Sequence, residues 1–138
     1  MKLENIKINK KIFQGLIENF KSFFAREYFR SGIVIWLLVL SLFFNLAGWI
    51  SLKIFVKAVD FPIILHYNVY FGVDSIGSYK AVYLMPAIGL ALLASNLLLS
   101  IYFYKNKERI ASYLLLIAAL MIQLSLAVAA VGIIIINY

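Results

Sequence analysis

The residues with the widest chemical repertoire lie together in one stretch, Asp60 to Lys80 (DFPIILHYNVYFGVDSIGSYK), which holds the single histidine, His66, and two carboxylates, Asp60 and Asp74. A histidine with a carboxylate eight residues on supports three kinds of chemistry. The pair could exchange protons with a substrate held within hydrogen-bond reach of both. It could join Asp60 in ligating a divalent cation. It could also serve as a structural or pH-responsive contact in an external sensor, because histidine is the side chain that ordinarily changes charge near neutral pH. Nothing nearby resembles an oxyanion or metal site that would complete the first two. The structural hydrogen-bonding role is therefore the favoured one, with no catalytic residue, metal or cofactor assigned.

The rest of the composition narrows the chemistry further. With no cysteine in 138 residues, disulfides, thiolate nucleophiles and cysteine-ligated zinc are excluded. One histidine and six carboxylates starve a two-histidine metal motif or a triad of parts.

A second set of polar groups is embedded in apolar sequence: Asn45, Asn96 and Gln123, each near the middle of an uncharged run. Counted from the ends expected to face the cytoplasm, Asn45 and Gln123 are at one depth and Asn96 is shallower. The first and third runs could thus pair their amides, at about 0.6–2 kcal/mol for such an interhelical bond. A polar permeation path is the less favoured use, because such paths usually need ionisable groups and these runs have none.

The elements that must position these residues follow from the uncharged runs. Gly32 to Leu52, Ala81 to Tyr104 and Ile110 to Asn137 carry no charge over 21, 24 and 28 residues. At about 1.5 Å per helical residue each is long enough for a hydrocarbon core of about 30 Å. The expected fold is an all-α integral membrane protein with spans at about 32–55, 81–104 and 110–137, joined on one side by an outer loop at 56–80. A composition that is 64% hydrophobic and 14% charged agrees with a chain whose main solvent is lipid. The basic leader and the length of the first run make it a retained anchor and not a cleaved signal.

Lysines and arginines set the expected orientation. Seven precede the first span and three (Lys105, Lys107, Arg109) join the second to the third, against Lys53, Lys57 and Lys80 on the other side. The positive-inside rule then places the N-terminus in the cytoplasm of a cell-membrane protein and the 56–80 loop and C-terminus outside. The net charge of +7 flanks the apolar runs instead of lining a polar domain, so it does not indicate nucleic-acid binding. Residues 1–30 form the cytoplasmic part. Within it, 9–29 place Ile12, Phe13, Leu16, Ile17, Phe20, Phe23, Phe24 and Tyr28 at helical spacing, with Asn9 as N-cap, predicting a basic, aromatic amphipathic helix in the headgroup plane.

Within the outer loop, Gly72 and Gly77 suit tight turns, Asn68 and Asp74 can fold back on local amides, and Tyr67, Tyr70, Phe71 and Tyr79 suit an interface. Pro86 is expected to kink the second span, and Gly48 to let helices approach closely.

The succession His66-Tyr67-Asn68, then Asp74, Gly77-Ser78 and Pro86 early in the next span resembles the membrane domain called domain of unknown function 1648. That domain occurs in bacterial immunity and signalling proteins of the kind that protect against a sporulation-delaying toxin. The likeness covers about 60 residues; with Gly72 added, His66, Tyr67, Asn68, Asp74, Gly77 and Ser78 make up the outer-loop motif, for recognition or for structure. The favoured function is a non-enzymatic module for immunity, sensing or assembly that binds a protein or peptide through the outer loop. The expected partners are the lipid bilayer, a protein or peptide at that loop, and further copies or other chains in an oligomer. An oligomeric transporter or channel subunit is the alternative, and a membrane enzyme is less favoured.

Overall fold

A computed structural model describes residues 27–137, so the expected amphipathic helix of 9–29 falls almost wholly outside the described residues. The chain divides into two compact units, 1–35 and 36–138. In the described part of the first unit, one helical turn, α1 (Glu27–Arg30), precedes the start of α2 (Gly32–Phe55). The Ser31 N–H donates to the Tyr28 carbonyl at 3.3 Å, and the Ile35 N–H donates to the Ser31 carbonyl at 3.1 Å, carrying the chain into α2.

The second unit contains the remainder of α2, a hairpin of β1 (Ile63–Asn68) and β2 (Gly72–Gly77), a 3₁₀ turn (Tyr79–Tyr83), α3 (Leu84–Lys105) and α4 (Arg109–Asn137). Three helical segments, Gly32–Phe55, Tyr79–Lys105 and Arg109–Asn137, are long and apolar enough to cross a membrane. They are greasy on the outside: Trp36, Phe43, Ile54, Leu98, Leu114 and Val128 are all well exposed. A helix apolar on every face is suited to lipid or a large core, not to water.

The all-α expectation needs correction, because residues expected to form a compact loop form an antiparallel hairpin. Its sequence accounts for this. Ile63, Ile64, Tyr67 and Val73 favour extended backbone. Gly72, at φ +79°, closes a three-residue loop of Val69, Tyr70 and Phe71 in the left-handed region that L side chains avoid. The Tyr70 N–H donates to Asn68 Oδ1 at 2.9 Å, an Asx turn that bends the chain at the tip.

Pro86 is the third residue of α3, just after the 3₁₀ turn. In a first helical turn its missing N–H leaves no intrahelical bond broken.

The turn between α3 and α4 is tight. The Glu108 N–H donates to the Phe103 carbonyl at 3.0 Å and the Lys107 N–H to the Tyr104 carbonyl at 3.1 Å, a Schellman closure with Lys107 at φ 65°. Nearby, the buried Ser100 hydroxyl donates to the Ser112 carbonyl at 2.9 Å and lies 2.7 Å from the Ser112 hydroxyl, fastening α3 to α4.

At the opposite end, Leu52 and Val56 from α2 and its exit, Ile63, Val82, Ala130 and Ile133 form a buried apolar cluster that seats the base of the hairpin on the helix ends. Trp49 stacks on Tyr83 there at 5.8 Å between ring centroids, with planes 12° apart.

Candidate functional site

Two polar constellations emerge. The first is buried between the long helices. Asn45 Nδ2 donates to the Pro86 carbonyl at 2.9 Å and to Gln123 Oε1 at 3.0 Å, and Gln123 Nε2 donates to the Gly89 carbonyl at 2.7 Å. Side chains from α2 and α4 are thereby tied to each other and to the first turns of α3. Both amides are almost fully buried, and no buried side-chain nitrogen or oxygen among the described residues lacks a hydrogen-bond partner. A satisfied network of this kind fixes helix rotation and depth, since breaking one bond strands an amide in apolar surroundings.

Gly89 makes the approach feasible. A Cβ there would lie 2.7 Å from Leu126 Cδ1, 2.8 Å from Gln123 Oε1 and 3.1 Å from Asn45 Nδ2. Gly48, expected to allow close packing, has nothing within 4 Å of its would-be Cβ. Asn96 also departs from its expected role, for its Nδ2 donates to the Leu92 carbonyl of its own helix at 3.0 Å. It stands ten residues from Pro86, nearly three turns along α3, too far to reach the network. The two backbone acceptors, Pro86 O and Gly89 O, escape a reading that looks only for polar side chains.

The second constellation is the hairpin. His66 Nδ1 and Asp74 Oδ1 are 2.7 Å apart, with 65% and 43% of their side chains exposed. The ladder pairs Ile64 with Ile76, then His66 with Ser75, then Tyr67 with Val73, so Leu65 on β1 and Asp74 on β2 each lack a cross-strand partner. The two irregularities offset one another and restore the register toward the tip. They also give both residues their roles: Asp74 meets His66 diagonally, and Leu65 lies over Gly77, where a Cβ would be 2.7 Å from Leu65 Cδ1.

The seven motif residues thus divide by task. His66 and Asp74 pair; Asn68 and Gly72 shape the tip; Gly77 admits Leu65, although it was expected to make a turn; Ser78 Oγ accepts from the Lys80 N–H at 3.4 Å at the start of the 3₁₀ turn; Tyr67 stands exposed. Asp74, expected to bond local amides, faces His66 instead. Among the described residues no three His, Asp or Glu side chains come together as a metal site, so Asp60 does not complete one with His66 and Asp74.

Among the large apolar side chains of the hairpin those at the tip are the most exposed: Val69, Tyr70 and Phe71 are 85%, 91% and 86% accessible. The base is anchored by a residue that polar-motif reading passed over, Asn137. Its Oδ1 accepts from the Ile64 N–H at 2.9 Å and its Nδ2 donates to the Ile64 carbonyl at 2.7 Å and to the Ile133 carbonyl at 2.9 Å.

Compared with known proteins, the chain matches no family model, no curated protein and no solved structure.

Proposed function

We propose that this chain is a multi-pass protein of the cell membrane, with the N-terminus and the Lys105–Arg109 turn in the cytoplasm, whose outer hairpin recognises a protein or peptide. The observation that carries this reading is the hairpin tip, where three consecutive large side chains, Val69, Tyr70 and Phe71, stand almost fully accessible on a turn shaped by Asn68 and Gly72. Exposed apolar groups held on a built turn, above a base packed on the helix ends, are the arrangement of a contact surface. The exposed His66–Asp74 pair beside the tip offers a polar flank suited to fixing the orientation of a partner.

The same reading assigns the hairpin a non-enzymatic role in immunity, sensing or assembly, in line with its likeness to domain of unknown function 1648. The Asn45–Gln123 network supports a structural use of the buried amides over a permeation path, because their polar groups bond to one another and to helix carbonyls.

Crosslinking and pull-down from membranes tests the proposal, comparing wild type with His66→Ala, Asp74→Asn and a Tyr70→Ser/Phe71→Ser tip variant at matched insertion. Specific partners captured by the wild type and lost from the variants would support recognition by the hairpin; the same partners retained by all variants would overturn it. Orientation has a direct check, since the chain has no native cysteine to remove. An impermeant maleimide should label Ser75→Cys in intact cells and Lys107→Cys only after permeabilisation.

A further inference from the structure

Beyond Phe55 the chain leaves regular structure and runs from Lys57 to Pro62 before entering β1. Beside this linker lies a groove of about 530 Å³, lined among others by Phe55, Lys57, Val59, Phe61, Ile64 and Asn137. Its volume is that of a small-molecule site, for which the usual range is about 300–1,000 Å³. The walls are chiefly hydrocarbon and aromatic. Lys57 is the one charged residue among them; Asp60 lines an adjoining depression that shares Val59, Phe61 and Pro62 with the groove and continues to Ile76, Gly77 and Ser78.

Two further observations restrict the occupant. A peptide adding a strand to the free edge of β1 would need the Ile64 N–H and carbonyl, and the Asn137 amide already engages both. Strand addition at Ile64 is thereby disfavoured, whereas a fatty chain needs no such hydrogen bonds. In addition, among the described residues no hydrogen bond is donated by the backbone N–H groups of Lys57 to Phe61. Those donors and the Lys57 ammonium are groups from which a phosphate can accept hydrogen bonds.

We propose that this groove is a binding site for an anionic phospholipid of the outer leaflet, with an acyl chain along Phe55, Phe61 and Ile64 and the phosphate at Lys57. The inference rests on the reading of α2 as a membrane span. Its 24 residues extend about 36 Å, which sets Lys57, two residues past its end, at headgroup depth.

The test uses the full chain, purified and delipidated in dodecyl maltoside, and titrated in mixed micelles with phosphatidylglycerol or phosphatidylcholine while bound lipid is counted by native mass spectrometry. Wild type should hold phosphatidylglycerol at least tenfold more tightly than phosphatidylcholine. Lys57→Glu should abolish that preference. Lys53→Glu, the same charge change on a neighbouring lysine that does not line the groove, should keep it. Val59→Trp, which fills the groove, should weaken both lipids at least tenfold, with helicity by circular dichroism confirming the fold. Equal binding of the two lipids by wild type, or an equal loss in Lys53→Glu and Lys57→Glu, would overturn the proposal. Failure of the membrane reading is visible separately, as release of the chain from membranes by alkaline carbonate before any lipid is added.

Discussion

Asn137 holds Ile64 by both of its backbone groups, accepting from its N–H at 2.9 Å and donating to its carbonyl at 2.7 Å, so that one side-chain amide at the end of α4 stands in for a neighbouring strand. The amide has the same donor and acceptor pair as a peptide unit, which lets it cap the edge of a two-stranded hairpin that would be marginal alone.

Replacing Asn137 with Ala should therefore loosen the hairpin without unseating the helices. At roughly 0.5–1.5 kcal/mol per hydrogen bond, amide exchange of Ile64 should accelerate about fivefold to a hundredfold, while exchange within α3 and α4 stays unchanged. Hydrogen-exchange mass spectrometry in detergent measures both. Unchanged exchange at Ile64 would show that the apolar base alone holds the hairpin.

The Asn45–Gln123 bond is open to a double-mutant cycle, read by unfolding in mixed micelles. Each change to Ala should destabilise the protein, and the double variant should cost less than the two added together. The expected coupling is about 0.6–1.7 kcal/mol, the range of interhelical hydrogen bonds in lipid. Strict additivity would mean that the amides contribute independently through Pro86 O and Gly89 O.

Gly89 and Gly48 give opposite predictions for one substitution. Gly89→Ala should cost about 1–3 kcal/mol, because its Cβ must displace Leu126 and intrude on the Asn45–Gln123 bond. Gly48→Ala, with open space around it, should be neutral or stabilising by up to about 1 kcal/mol through helix propensity. Thermal unfolding of the pair in the same detergent decides the matter, and similar behaviour would contradict this helix packing.

Lys107, at φ 65° in the closure between α3 and α4, is a non-glycine residue in left-handed backbone. Lys107→Gly should raise stability by about 0.5–1 kcal/mol by removing the strain of a Cβ there. A lower unfolding midpoint would instead show that the lysine side chain is needed.

Breaking the His66–Asp74 pair should matter little for folding, since exposed ion pairs are worth about 0–1 kcal/mol. His66→Ala and Asp74→Asn should unfold within about 1 kcal/mol of wild type, and the same unfolding assay reads this. A larger loss would make the pair a fold-holding contact and weaken its assignment to recognition.

Much of the architecture is legible one residue at a time. Three uncharged runs give three long apolar helices, because length and hydropathy are local properties that no distant contact has to supply. The glycine at 72 and the asparagine at 68 announce a turn for the same reason: φ preference and an Asx bond act within a few residues. The hairpin itself was hidden by its shortness and by the offset irregularities at Leu65 and Asp74, which break the alternation that a strand pattern depends on.

What remained for the tertiary structure is everything that depends on helix rotation and register. Asn45, Asn96 and Gln123 look alike in sequence, yet only Asn45 and Gln123 meet, because α3 enters the cluster with its first turns and presents Pro86 O and Gly89 O there while Asn96 lies further along. Gly48 and Gly89 are equally small, and only the packing of the helices decides which one is crowded. Asn137 and Ile64 are 73 residues apart, and their bond exists only because the third long helix ends at the height where β1 begins. Hydropathy sets which segments can leave water; the directional reach of a hydrogen bond, a few ångströms and no more, sets which of their polar groups meet.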